Sequence, residues 1–118
     1  MTAALDDFTS ETQLGTDKDA AASILVSTTS TEKKFIGDVE YTNTSVSAIE
    51  VTVWRLLTAT TATTGSGGNW LAKKTIQPGK VWSCPELRNS TLGISMSVRA
   101  IAGTGSVVNA NLGGVTES

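Results

Sequence analysis

The chain of 118 residues is long enough for one domain, and its 5% aromatic content predicts a mostly aliphatic core. The formal charge of −2 and the scatter of the 9 basic residues argue against a nucleic-acid partner, because phosphate binding needs a basic stripe. One cysteine and no histidine exclude an intramolecular disulfide, an imidazole metal ligand and a Ser–His or Cys–His catalytic pair.

Membrane and secretory segments are not predicted. No apolar run approaches the ~18 residues of a membrane-spanning helix. The first fifteen residues, MTAALDDFTSETQLG, lack the basic and apolar regions of a secretory signal. We therefore expect synthesis in a cytoplasm and no membrane partner.

Residues 1–22 are predicted to form an extended arm with little structure of its own. They carry five acidic side chains and one lysine, and few apolar residues that could form a core. A short helix over residues 3–8 is a weaker alternative. The arm is either a flexible tail or a segment that orders on a neighbouring subunit, and in the second case Leu5, Phe8 and Leu14 are the candidate interface residues.

From residue 23 onward the pattern indicates β-strands. An apolar run, ASILVSTT, comes first. The next two segments alternate, with Phe35, Val39 and Tyr41 on one face of the first and Val51 and Val53 on one face of the second. Because the NTSVSA between them is short and rich in turn-forming residues, we predict an antiparallel hairpin over residues 35–57.

Residues 58–69, TATTATTGSGGN, predict a long exposed loop, since threonine, alanine and glycine cannot build a core there. Strand patterns resume at WLAKKTI, and the QPGK that follows fits a type II turn. In KVWSCPEL, Pro85 cannot donate a ladder hydrogen bond, so that strand lies at an edge or is bulged. The alternating LGISMSVRAIA and SVVNANLGGV complete the chain.

Seven or eight strands separated by turns predict an all-β fold, a single antiparallel β-sandwich of the jelly-roll or Ig-like type over residues 23–118. Two of its strands have apolar residues on both faces, and a sandwich needs only one apolar face per strand. Trp54 and Trp82 lie on the second faces. They are therefore either covered by a loop or candidate interface residues at a contact with another subunit or protein.

No catalytic, metal-binding or cofactor-binding residues are predicted. Asp38 and Glu40 share a strand face, which is typical of a solvated surface more often than of a paired-carboxylate site. The acidic residues near the N-terminus lack the spacing of a calcium loop. The glycine-rich GSGG lacks the lysine of a phosphate-binding loop, and Cys84 is predicted to be a buried small hydrophobe.

Three groups of residues carry a resemblance to a known class of proteins. They are Thr42-Asn-Thr-Ser45 with Val51-Thr-Val53, then Ile76-Gln-Pro-Gly79, and the closing run from Ile94 to Val115. Together they resemble a loose group of small β-sandwich proteins of tailed bacteriophages, over about residues 22–117. Where that group often has an aspartate before the penultimate strand, this chain has Thr91-Leu92-Gly93.

The resemblance implies a virion structural protein and no enzyme activity. Within that class we expect a capsid decoration (cement) protein that binds the major capsid protein or other virion proteins as a homo-oligomer, with a trimer favoured. A neck, tail or fibre component is the alternative in the same class. A module that binds carbohydrate or a host surface, using tryptophans such as Trp70, is the alternative from another class.

Overall fold

The structure is a computed structural model, and it describes residues 3–117. It is all-β, as predicted, with two antiparallel sheets and one short 3-10 turn at Ala21–Ser23. The strands are β1 (Ala3–Gln13), β2 (Ile24–Ser27), β3 (Lys33–Asn43), β4 (Ile49–Leu57), β5 (Ala72–Ile76), β6 (Val81–Trp82), β7 (Ser90–Leu92), β8 (Met96–Ala102) and β9 (Val108–Glu117).

Sheet A has the strand order β1-β9-β3-β6, with β7 also paired to β3, and sheet B has the order β2-β8-β4-β5. One core holds side chains from both sheets, including Ile36, Val39 and Tyr41 of β3 and Val51 and Val53 of β4. The sheets therefore face each other across a shared and mainly aliphatic core, which is compatible with a β-sandwich.

The predicted hairpin over residues 35–57 does not form. Its two segments are the separate strands β3 and β4, but β3 lies in sheet A and β4 in sheet B. The connection between them crosses from one sheet to the other. Alternation of apolar residues specifies which face of a strand is buried, and it does not specify which strand lies beside it.

The crossing is held by Asn43, which is completely buried at the end of β3. Its Nδ2 donates to the carbonyl oxygens of Ser47 at 2.7 Å and Ile76 at 2.8 Å. Its Oδ1 accepts from the backbone N–H and the hydroxyl of Ser45 at 2.9 and 2.8 Å. All four hydrogen-bonding positions of the amide are thus used within the chain.

Residues 3–13 form β1, so the arm predicted for residues 1–22 is largely a strand of sheet A. It pairs with β9 from Ala3 opposite Glu117 to Gln13 opposite Asn109, with two irregularities in register. The low apolar content that suggested an arm is no obstacle, because β1 is an edge strand held by backbone hydrogen bonds to β9. The part of the predicted arm at residues 1 and 2 lies outside the described residues.

Gly37 lies at a bulge that changes which side chains of β3 face the core. The register against β9 shifts between Ile36 and Asp38, so Ile36 is buried while Phe35 is 42% exposed. The prediction that Phe35 shares the inner face with Val39 and Tyr41 is therefore wrong. A single inserted residue reverses the inward and outward positions on either side of it.

The turn predicted at QPGK is present between β5 and β6. Gly79 has a φ of 71°, and the Lys80 N–H bonds to the Gln77 carbonyl at 3.1 Å. Asn43 also bonds to this turn, since its backbone N–H donates to Lys80 and its carbonyl accepts from Gly79. The turn and the end of β3 therefore form one hydrogen-bonded unit at this end of the molecule.

Candidate functional site

Trp54 is completely buried within the chain, so it is not an exposed anchor for another subunit. Its side chain lies on the outer face of sheet B, whereas that of the preceding Val53 points into the core. The loop over residues 58–69 covers the indole. Its Nε1 donates to the Thr63 carbonyl at 3.0 Å, and Ala62 beside it is also buried. Of the two possibilities that the sequence left open for this tryptophan, cover by a loop is the one that occurs.

The covering loop is more ordered than its composition suggested. The Asn69 side chain accepts from the backbone N–H of Thr63 at 2.8 Å and donates to the Thr61 carbonyl at 2.9 Å. The predicted exposure holds for most of the loop, because Ala62 is the one residue between 58 and 69 that is buried. The tip around Gly65 and Gly67, both with positive φ, is exposed as predicted.

Leu14, a candidate interface residue, is also buried, with 1% of its surface exposed. Its N–H donates to the Val108 carbonyl at 2.9 Å and its carbonyl accepts from Ser106, which places it in the core below β9. Phe8 is half-buried against the same core, and Lys34 Nζ lies 5.6 Å from its ring centre. Of the three candidates in the predicted arm, Leu5 alone is well exposed, at 89%.

Leu5 belongs to an apolar row that crosses the outer face of sheet A. It is directly opposite Val115 of β9, which is in turn opposite Phe35 of β3. Directly paired residues project on the same side of a sheet, so these three side chains are neighbours. We call Leu5, Val115 and Phe35 the apolar row. Sequence reasoning missed its last two members, because the bulge at Gly37 turns Phe35 outward.

Trp82 lies beside a groove that joins the two sheets at the β5 and β6 edges. The groove has a volume of about 540 Å³, and its lining includes Ile76, Lys74, Lys80, Val81 and Pro85. We call it the β5–β6 groove. Its two strands come from different sheets, and the turn at Gln77–Lys80 brings their ends together.

The β5–β6 groove combines apolar surface with positive charge. Trp82 is half-buried, and its ring packs against Tyr41 with 5.7 Å between ring centres, which fixes its position. Val81 is 55% exposed, and Lys80 is exposed beside it. The chemistry suits a partner segment that has an apolar side chain next to a carboxylate. Of the candidate residues, Trp82 lines this groove, and Phe8 lines a smaller one of about 270 Å³.

The acidic residues that share a strand face in the sequence are on the outer face of sheet A. Asp38 and Glu40 line a shallow groove of about 380 Å³ with Asp7 and Asn111. Residues 3–117 contain no group of three or more histidine, cysteine or carboxylate side chains placed to hold a metal ion. Within the same residues, no helix has the length and apolar character needed to cross a bilayer.

Cys84 is buried, as the sequence predicted. Burial raises the pKa of its thiol to about 11, and the hydrogen bond from the Leu87 backbone opposes that effect only in part. A thiol in this state is a poor nucleophile, because the thiolate is the reactive form. Burial also raises the pKa of Tyr41, whose hydroxyl has no hydrogen-bond partner among the described residues.

No protein-family model, curated protein or solved structure matches this chain. What the geometry defines is therefore a class: an all-β protein with two facing antiparallel sheets, an exposed apolar row on sheet A and a basic, apolar groove at the β5–β6 edge.

Proposed function

We propose that the chain is a non-enzymatic structural protein of a tailed-phage virion, and that its fold is a jelly roll. The observation that carries this proposal is the nesting of its strand pairs. β6 and β7 both pair with β3, so they count as one interrupted strand. The pairs are then β1 with β9, β2 with β8, β3 with β6 and β7, and β4 with β5.

Nested pairs of this kind describe a long two-stranded ribbon folded over on itself. Jelly rolls have eight strands in two sheets, and they occur in viral capsid proteins and in lectins. A fold hosts many functions, so this likeness is an analogy that favours those two classes over others. The resemblance of Thr42–Ser45 and Ile76–Gly79 to phage proteins favours the first, and Asn43 joins these two segments by hydrogen bonds.

Within that class we favour a capsid decoration protein that binds the outer shell as a homo-oligomer, most simply a trimer. The apolar row is available for contact between copies, since exposed apolar groups that lie together mark interaction surfaces. The β5–β6 groove is then available for the major capsid protein or another virion protein. A neck, tail or fibre protein would use the same two surfaces.

The direct test is to find the chain in purified virions. Mass spectrometry of intact particles should detect it, and a cryo-EM map should contain density for its two sheets on the outer shell. Density at the neck or tail would select the alternative location. Absence of the chain from purified particles would refute a virion role.

Variants then test the two surfaces separately. Phe35→Ser should shift the purified protein to monomer in light scattering coupled to size-exclusion chromatography, while Lys80→Glu should leave the oligomer intact and weaken binding to particles. Val46→Ser is the matched control, because Val46 is 95% exposed and belongs to neither surface. Normal oligomers and normal particle binding in both variants would exclude both surfaces.

Binding of carbohydrate is the second candidate, favoured by the tryptophan beside the β5–β6 groove and by the occurrence of jelly rolls in lectins. The three tryptophans do not form one platform. Trp54 is buried, and Trp70 bonds to the Gly65 carbonyl while Lys73 Nζ lies 5.0 Å from its ring centre. A glycan array decides between the two: saturable binding that Trp82→Ala abolishes and Trp70→Ala retains would favour recognition through the groove.

A further inference from the structure

Arg99 is a buried cation without a carboxylate partner among residues 3–117. It lies on β8 at the outer face of sheet B, paired with Trp54 on one side and Ile24 on the other, and 7% of its surface is exposed. The ion pairs within residues 3–117 join Lys18 to Asp19 and Lys34 to Glu32, and neither includes Arg99. A charge removed from water is costly unless a counter-charge or several hydrogen bonds compensate it.

The protein supplies acceptors to only part of the guanidinium. Nε donates to the Ser97 hydroxyl at 3.0 Å, and Nη2 donates to the carbonyl oxygens of Leu57 at 3.3 Å and Thr58 at 3.0 Å. Three of the five N–H groups are thereby used, and the two that remain are on Nη1. Among the described residues, the Tyr41 hydroxyl is the one side-chain nitrogen or oxygen that is both fully buried and without a hydrogen-bond partner. Because Nη1 has no partner either, it must retain some contact with solvent.

The guanidinium borders a pocket of about 220 Å³ between the start of the covering loop and residues 18–20. Thr58, Thr60 and Thr61 line this pocket, and their hydroxyls make no hydrogen bond to other residues between 3 and 117. Lys18 and Asp19 also line it, but they neutralise each other at 2.9 Å. The pocket thus has one uncompensated positive charge and several free donors.

We propose that this pocket, which is separate from the apolar row and the β5–β6 groove, binds an oxyanion, either a carboxylate or a phosphate group, with Arg99 Nη1 as the main donor. A guanidinium N–H pair bonds strongly to such oxygens, and the charge-assisted bonds are strengthened by the partial burial. The threonine hydroxyls complete the shell. The same ligand also stabilises the covering loop, because Arg99 already bonds to the carbonyls at its start.

Thermal unfolding at constant pH and ionic strength tests the proposal, with sodium phosphate and sodium acetate compared against sodium chloride. A ligand that binds the folded state raises Tm in a saturable way. We expect such a rise with at least one of the two anions. A rise with acetate alone assigns a carboxylate, and a rise with phosphate alone assigns a phosphate group. Phosphate also stabilises proteins without binding, but that effect does not saturate.

A pair of variants at Ala59 keeps the test independent of any folding defect in Arg99 variants. Ala59 is exposed and lines the same pocket, so Ala59→Glu supplies a tethered carboxylate there. We expect Ala59→Glu to have a higher Tm in chloride and no further response to the anion, while Ala59→Gln retains the response. A response that never saturates, that persists in Ala59→Glu or that is lost equally in Ala59→Gln would overturn the proposal.

Discussion

At the scale of single residues, two buried polar groups show opposite outcomes. Asn43 uses all of its hydrogen-bonding capacity at the crossing between the sheets, whereas the Tyr41 hydroxyl has no partner among the described residues. A satisfied buried amide specifies geometry, because each alternative arrangement leaves donors or acceptors unpaired. Asn43 is therefore the residue through which the sequence enforces the crossing.

Replacement of Asn43 by alanine should lower the free energy of unfolding by about 2–4 kcal/mol, since several buried groups lose their partners at once. Urea denaturation measures the change. Asn109→Ala is the matched control, because its side chain makes no hydrogen bond to the other described residues and the expected change is below about 0.5 kcal/mol. Equal stability of the two variants would show that the amide does not hold the crossing.

The buried thiol of Cys84 predicts a loss of stability at alkaline pH. Its pKa is about 11 in the folded chain and near 9.0 when unperturbed, so between these values the unfolded chain releases a proton that the folded chain keeps. The unfolded state is then favoured increasingly as pH rises from about 9 to 11. Urea midpoints across this range should fall more steeply for the native chain than for Cys84→Ala, and parallel slopes would contradict the prediction.

At the scale of elements, the loop over residues 58–69 divides into two parts with different roles. Its first half covers Trp54 and is held by the Asn69 side chain, whereas the glycines at 65 and 67 form an exposed tip. The apolar outer face of β4 is therefore buried without a second subunit. A segment of low hydrophobicity is enough, because the Thr63 carbonyl accepts the indole hydrogen bond and the neighbouring Ala62 is buried.

An insertion in the tip and a substitution in the covering part should have different effects on stability. A short tag after Ser66 should leave Tm almost unchanged, since exposed tips tolerate insertion. Ala62→Glu should lower the stability by about 2 kcal/mol or more, because it places a charge at a buried position over Trp54. Trp54 fluorescence should shift to the red in Ala62→Glu, and tolerance of both changes would mean that the loop does not cover the indole.

At the scale of the whole molecule, β1 links the two ends of the chain. It pairs with β9 along most of its length, and the Thr9 hydroxyl donates to the Leu25 carbonyl of β2 in the other sheet. Leu14 then enters the shared core. The first strand is thus an integral part of the domain and not a separate arm. The apolar surface that it leaves exposed for a partner is the apolar row.

Deletion of residues 1–13 should destabilise the whole domain, because it exposes the β9 edge and removes the segment that positions Leu14. Circular dichroism during heating should show a lower Tm or no cooperative transition. The control is deletion of residues 1–2 alone, which leaves β1 intact. A truncated protein with an unchanged Tm would return residues 3–13 to the role of a detachable arm.

The sequence by itself determined that this protein is all-β, that its strands after β1 are close to those observed, and that a turn lies at Gln77–Lys80. These features depend on local alternation, β-branched residues and the backbone preferences of proline and glycine, which act over a few residues. It also placed Trp82 on the second face of a strand that has apolar residues on both faces, which made it a candidate interface residue. Local patterns predict the strands and their apolar faces because each strand must present one face to a core.

Only the tertiary structure decided which strands are neighbours and which apolar residues remain exposed. Strand pairing depends on contacts between segments that are distant in sequence, as between β1 and β9. The alternation of apolar and polar residues along a strand is the same whichever strand lies beside it. The bulge at Gly37 and the cover over Trp54 likewise depend on segments outside the strand concerned, namely β9 and the loop over residues 58–69. One places Phe35 outside and the other places Trp54 inside, because burial is settled by what packs against a side chain and not by the side chain alone.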